Sequence, residues 1–146
     1  MQDKIAILLP YKDQFIKDNA GSASIWVKDF SKRSRFKGKT TIFGFTNNTD
    51  KIFNNFKYFN LKFSKFGIQS NNLQYVNKFI EVLKKKNFSI IEIHNRPSYI
   101  LHIEKYAPKN KYILVVHNNP QSLRGAVTPK DRKKLIKICS KIIFVS

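Results

Sequence analysis

Residues 88–120 read "FSIIEIHNRPSYILHIEKYAPKNKYILVVHNNP", and the order of elements in this segment sets the architecture of the chain. It holds two short runs rich in Ile and Val, Phe88–His94 and Lys111–His117. Near-continuous apolar runs of this length read as strands buried on both faces, the pattern of a parallel sheet. Between them, Tyr99, Ile100, Ile103 and Tyr106 mark the apolar side of a short helix, which "APKN" breaks. Strand, helix and strand make one right-handed βαβ unit. Each strand ends in His-Asn-x-Pro, with the two histidines 23 residues apart.

The flanking sequence extends the same alternation. Upstream, Leu73, Val76, Phe79, Ile80 and Leu83 share a helical face, with Asn71 or Asn72 as cap and Lys84, Lys85 and Lys86 at the end. Lys4–Pro10, "KIAILLP", reads as a buried first strand. Ala23, Trp26, Val27 and Phe30 form the apolar face of a first helix, Gly38 ends it, and Lys39–Thr46 is a second strand. Phe56, Tyr58, Phe59, Leu61 and Phe63 suggest a further strand in an aromatic, polar region. Downstream, Thr128 caps a last helix with Pro129 at its first position and Asp131 in the capping-box position, and "KIIFVS" is a final strand. The expected fold is α/β: a Rossmann-like, doubly wound, mainly parallel sheet of about six strands with helices on both faces.

The 146 residues suit one domain, and 42% hydrophobic residues supply a core. The net charge of +19 suits either solvated lysines or a polyanionic neighbour such as an anionic membrane surface. It comes from 23 Lys against 5 Arg, and Arg is the usual residue for reading bases, so no specific nucleic acid is expected. The aromatic segment Phe53–Phe66 is either a half-buried strand and loop or a stacking platform for single-stranded nucleic acid. The single cysteine, Cys139, allows no internal disulfide and falls among apolar helical positions, so a buried, inert thiol is expected. There is no 18-residue apolar run, and the N-terminus lacks a basic signal-like region, so a cytoplasmic location is expected.

Ligands of open α/β sheets bind at the carboxyl ends of the strands. Three loops there are rich in polar groups. Gly21 and Ser22 precede the first helix, so they are either an ordinary helix entry or a place where backbone N–H groups meet a phosphate. His94, Asn95 and Arg96 follow one strand, and His117 and Asn118 follow the next. A histidine at a strand tip can satisfy a loop carbonyl or face a ligand, and two together favour a ligand site. His102, within a helix, reads as surface. No carboxylate cluster, His-x-x-x-His or cysteine pair suggests a metal, and Glu92 is the only acid near a strand end. No Ser or Cys nucleophile elbow is present.

Taken in order, "KIAILLP…AGSAS", "FKGKTTIFGFT", "FSIIEIHNRP", "YILVVHNNP" and "CSKIIFVS" span essentially the whole chain. This series resembles the N-terminal domain of GT-B-fold glycosyltransferases, above all the retaining enzymes of family 4. The resemblance implies an enzyme that transfers a sugar from a nucleotide-sugar donor to an acceptor glycan or glycolipid, with no metal or other cofactor. It implies that Gly21 and Ser22 approach the donor diphosphate and that His117 lies beside the transferred sugar. His94, Asn95, Arg96 and Asn118 would then face the acceptor. Gly21-Ser22-Ala23-Ser24 departs from the two glycines and a glutamate common in that loop of the family. The resemblance also implies a C-terminal donor-binding domain in the same chain, without which residues 1–146 alone would be inactive, and the lysine-rich composition adds an expected peripheral position at the inner face of the membrane, docked on anionic lipid. The alternatives are a non-enzymatic basic domain binding single-stranded nucleic acid and a stand-alone flavodoxin-like nucleotide-binding domain.

Overall fold

The computed structural model describes residues 4–64 and 68–145. The end of the expected aromatic segment, at Phe66, and the last residue of "KIIFVS" lie outside these. The fold is α/β, with one six-stranded, all-parallel sheet in the order β3-β2-β1-β4-β5-β6. The strands are β1 (Ile5–Leu8), β2 (Thr40–Gly44), β3 (Tyr58–Asn60), β4 (Ile90–His94), β5 (Lys111–Val116) and β6 (Cys139–Phe144). The helices are α1 (Ser22–Arg33), α2 (Asn71–Lys85), α3 (Pro97–Ile103) and α4 (Pro129–Ile138). This is the Rossmann-like, doubly wound order, and the chain reverses direction between β1 and β4.

Alternation along the central strands divides the core in two. Ala6 and Leu8 of β1, with Ile91 and Ile93 of β4, face the larger cluster, where Val76, Phe79 and Ile80 of α2 and Ile100 and Ile103 of α3 pack. Ile7 and Leu9 point the other way, onto Ala23 and Val27 of α1. By the same period of two, Glu92 and His94 lie on the α1 side of the sheet.

Three local assignments differ from the sequence reading. Helix α1 ends at Arg33, and Gly38 sits in a separate 3₁₀ turn, Lys37–Lys39, that leads into β2. Ser70 caps α2, its hydroxyl accepting from the Leu73 N–H at 3.3 Å, because Asn72 is engaged elsewhere, accepting from the Tyr99 hydroxyl at 2.6 Å. Cys139 opens β6 instead of lying in a helix, and burial pushes its thiol up to about 11. The Thr128 cap is as expected: its hydroxyl oxygen accepts from the Asp131 N–H at 3.1 Å.

No helix joins β2 to β3. The connection carries a 3₁₀ turn, Thr49–Lys51, and covers the α1 side with aromatic rings. Phe53 and Phe56 meet Phe15 edge-on at 5.0 and 5.4 Å, and Tyr58 stacks on it at 5.7 Å. Phe59 packs on Phe43, and Phe63 packs on Tyr11. The aromatic rings of 53–63 are thus largely spent on packing, which accounts for an apolar, non-alternating sequence with no helix in it.

Candidate functional site

The carboxyl ends of β4 and β5 bring the two histidines together. His94 Nδ1 lies 2.9 Å from His117 Nε2, and the rings stack at a centroid distance of 5.2 Å. His94 Nε2 lies 2.9 Å from a carboxylate oxygen of Glu92, two residues earlier on the same face of β4. His94 is fully buried and Glu92 is 8% exposed. Trp26 of α1 lies against both imidazoles, at 5.3 and 5.8 Å. The three polar groups form one chain that begins in the interior at Glu92 and ends at the surface at His117.

Asn95 locks the two strand ends. It adopts a left-handed φ of 51°, a conformation Asn tolerates better than most residues. Its N–H donates to the Val115 carbonyl at 2.9 Å, and its side-chain oxygen accepts from the His117 N–H at 2.8 Å. Both bonds tie the tip of β4 to the tip of β5. The Arg96 guanidinium turns back and donates to the Asn95 carbonyl at 3.0 Å.

His117 opens onto a groove of about 1230 Å³ along α1. Trp26 and Phe30 stack within it at 4.8 Å and 7° between planes. Asp29, Arg33 and Arg35 supply charge, and Ser22 and Asn118 line it at the His117 end. The groove therefore joins a flat aromatic shelf to donors of hydrogen bonds and a neutral imidazole. Burial, and secondarily His94, push the His117 imidazole below its ordinary value, although Asp13 and Glu92 oppose this.

Of the expected site residues, Ser22, His117 and Asn118 line this groove, and Gly21, His94, Asn95 and Arg96 do not. His94 cannot meet an acceptor directly, because the fold buries it completely and both its ring nitrogens are already partnered. At the start of α1, Asp13 stands where a phosphate was expected. Its carboxylate accepts from the Ala23 and Ser24 N–H groups at 3.1 and 3.2 Å. A side chain at Gly21 would collide with that carboxylate, so Gly21 is the clearance that lets Asp13 reach the helix. A donor diphosphate at this end would have to share the amides with an anion already present.

The sequence reading missed Glu92, Asp13 and Trp26. Glu92 carried a signal: it is two residues before His94 in a strand, so both side chains share a face. Trp26 fitted the apolar face of α1 and was read as core. Asp13 reaches α1 across a loop, which no local pattern encodes. His102, expected at the surface, is partly buried, with Nε2 3.0 Å from the Asn77 side-chain oxygen. Among the described residues, no group of three His, Cys, Asp or Glu side chains is arranged to hold a metal, and no helix is long and apolar enough to cross a membrane. No protein-family model matches the chain, and no curated protein matches it.

Proposed function

We propose that this chain is the acceptor-side domain of a glycosyltransferase that moves a sugar from a nucleotide-sugar donor to an acceptor hydroxyl, in the synthesis of envelope polysaccharide or glycolipid. The observation that carries the reading is the imidazole of His117, held at the carboxyl edge by His94 and Asn95 and opening beside the Trp26–Phe30 shelf. Sugars offer flat apolar faces and hydroxyl rims, and a shelf of two stacked aromatic rings next to a hydrogen-bonding imidazole complements both. In this role His117 touches the transferred sugar and fixes its orientation, and Asn118 and Ser22 stand within the same groove for its hydroxyls or for the acceptor. The parallel sheet with its switch between β1 and β4 supports the reading, since ligands of such sheets collect at this edge.

The lysine-rich surface suits work at an anionic membrane from the cytoplasmic side, where lipid-linked acceptors reside. The test of the activity is sugar transfer by the full-length protein carrying His117→Ala. Loss on the order of 10²-fold in kcat is expected for removal of a positioning hydrogen bond in the transition state. Unchanged turnover would refute the role of His117.

A further inference from the structure

We propose that Glu92 and His94 are positioning residues that hold His117 in one tautomer, so that its bare Nδ1 accepts a hydrogen bond from a hydroxyl of a neutral sugar in the groove. The choice of a sugar rests on the transferase reading above; the tautomer does not.

The argument follows the protons outward from the core. A carboxylate can only accept, so His94 Nε2, 2.9 Å from Glu92, must carry a hydrogen. A neutral His94 then has a bare Nδ1. The contact of 2.9 Å between that atom and His117 Nε2 requires the hydrogen to sit on His117. A neutral imidazole carries only one N–H, so His117 Nδ1 is bare in its turn. Nδ1 has no protein partner among the described residues, and His117 lines the groove. One buried carboxylate therefore sets the hydrogen-bonding sense of an atom two residues away in the chain of contacts, in the way outer partners fix the ring nitrogens of a functional histidine.

Burial favours this arrangement. His94 is fully buried under Trp26, so water cannot enter to satisfy the opposite tautomers. The alternative in which each imidazole is reversed would leave the Glu92 carboxylate facing a bare nitrogen, two acceptors at hydrogen-bond distance. The charged groups around His117 are Glu92 on β4, Asp13 on the loop before α1, and Asp29, Arg33 and Arg35 along the groove. The imidazole that results discriminates by sign. A bare nitrogen accepts from O–H and finds no hydrogen on a phosphate monoester dianion or a carboxylate, so this end of the groove selects a neutral hydroxyl-bearing face over such an anion.

The experiment is long-range nitrogen–proton NMR of the nitrogen-15-labelled chain above pH 6.5, the ordinary imidazole value. The wild-type His117 ring is expected with its hydrogen on Nε2, and a hydrogen on Nδ1 overturns the proposal without any variant. Glu92→Leu removes the acceptor for His94 Nε2. The hydrogen of His94 then moves from Nε2 to Nδ1, where it is donated to His117 Nε2, and the hydrogen of His117 moves to Nδ1. A wild-type tautomer in a Glu92→Leu protein whose backbone spectrum shows it folded overturns the positioning role. In wild type, a high concentration of methyl glucoside should shift the bare Nδ1 resonance while acetate, which has no hydrogen to donate, leaves it in place. If the sugar leaves Nδ1 unmoved, the hydroxyl assignment and its transferase context fail, while a tautomer that depends on Glu92 still stands.

Discussion

Asp13 and Gly21 should behave as one unit, and the size of their coupling follows from the geometry. The Asp13 carboxylate accepts from two free N–H groups at the start of α1, and no side chain of Gly21 obstructs it. Loss of a helix cap costs about 1 kcal/mol, and loss of a negative charge at the positive end of a helix adds about 0.5 kcal/mol. Asp13→Ala should therefore cost about 1.5 kcal/mol. With a urea dependence of about 2 kcal/mol per molar, the midpoint of urea unfolding falls by about 0.8 M. Gly21→Ala places a methyl group on the carboxylate and dislodges it, so it should cost about 1 kcal/mol in the wild-type background. In the Asp13→Ala background the obstruction has no object, and the same change should lie within about 0.5 kcal/mol of neutral. The double-mutant cycle then gives a coupling of about 1 kcal/mol. Additivity of the two changes would refute the view that Gly21 exists to admit Asp13. The cycle also bears on function: if the Asp13→Ala chain binds inorganic phosphate more tightly than wild type, the helix end is an anion site that Asp13 holds closed.

Other consequences are open to direct measurement. The Ser24 hydroxyl is buried and has no hydrogen-bond partner among the described residues, so Ser24→Ala should raise stability by about 1 kcal/mol in urea unfolding, aided by the helix preference of Ala. Burial lowers the affinity of His117 and His102 for protons in the folded state, so the unfolded chain protonates first as pH falls. Stability should be at its plateau above pH 6.5 and decline below it, and a Tm that rises on acidification through pH 6 contradicts this. The Cys139 thiol, pushed up to about 11, should alkylate with iodoacetamide much more slowly than a free cysteine at pH 8, and faster after unfolding. Vesicles containing anionic lipid should co-sediment the chain at low salt and release it at high salt, whereas salt-independent sedimentation argues against a lysine-driven contact.

Much of the architecture was legible because its signals are local. The strands of the central sheet are apolar runs, the helices have a 3.6-residue period, and both conditions are written in contiguous residues such as Phe88–His94 and Leu73–Leu83. The pairing of the two strand tips was legible too, since consecutive βα units place their ends on one edge. The relay was not, because Glu92 and His94 were weighed one at a time: an acid among apolar residues and a polar tip. Only the alternation of the strand unites them, and only the register of β4 against β5 brings His94 to His117. The cap of α2 was misplaced by a residue or two because Ser70, Asn71 and Asn72 are all competent, and tertiary contact between Asn72 and Tyr99 settles the choice. The reach of Asp13 to α1 lies beyond local pattern altogether.

The missing helix between β2 and β3 has a mechanical side. The loop that replaces it is stitched to the loop before α1: the Lys17 N–H donates to the Lys51 carbonyl at 2.8 Å, the Phe53 N–H donates to the Phe15 carbonyl at 3.3 Å, and Ile16 forms an antiparallel bridge with Ile52. The loops that follow the neighbouring strands β1 and β2 are therefore tied to each other at residues 15–17 and 51–53. Amide hydrogen exchange in 15–17 and 51–53 should then belong to a single cooperative unit. Because Asp13 stands two residues from Phe15 and holds the start of α1, that unit reaches the wall of the groove. A disturbance at the edge strand β3, whose Tyr58 stacks on Phe15, should therefore reach the start of α1 through these loops, and slower or faster exchange at 15–17 in a β3 variant is the measurement that checks it.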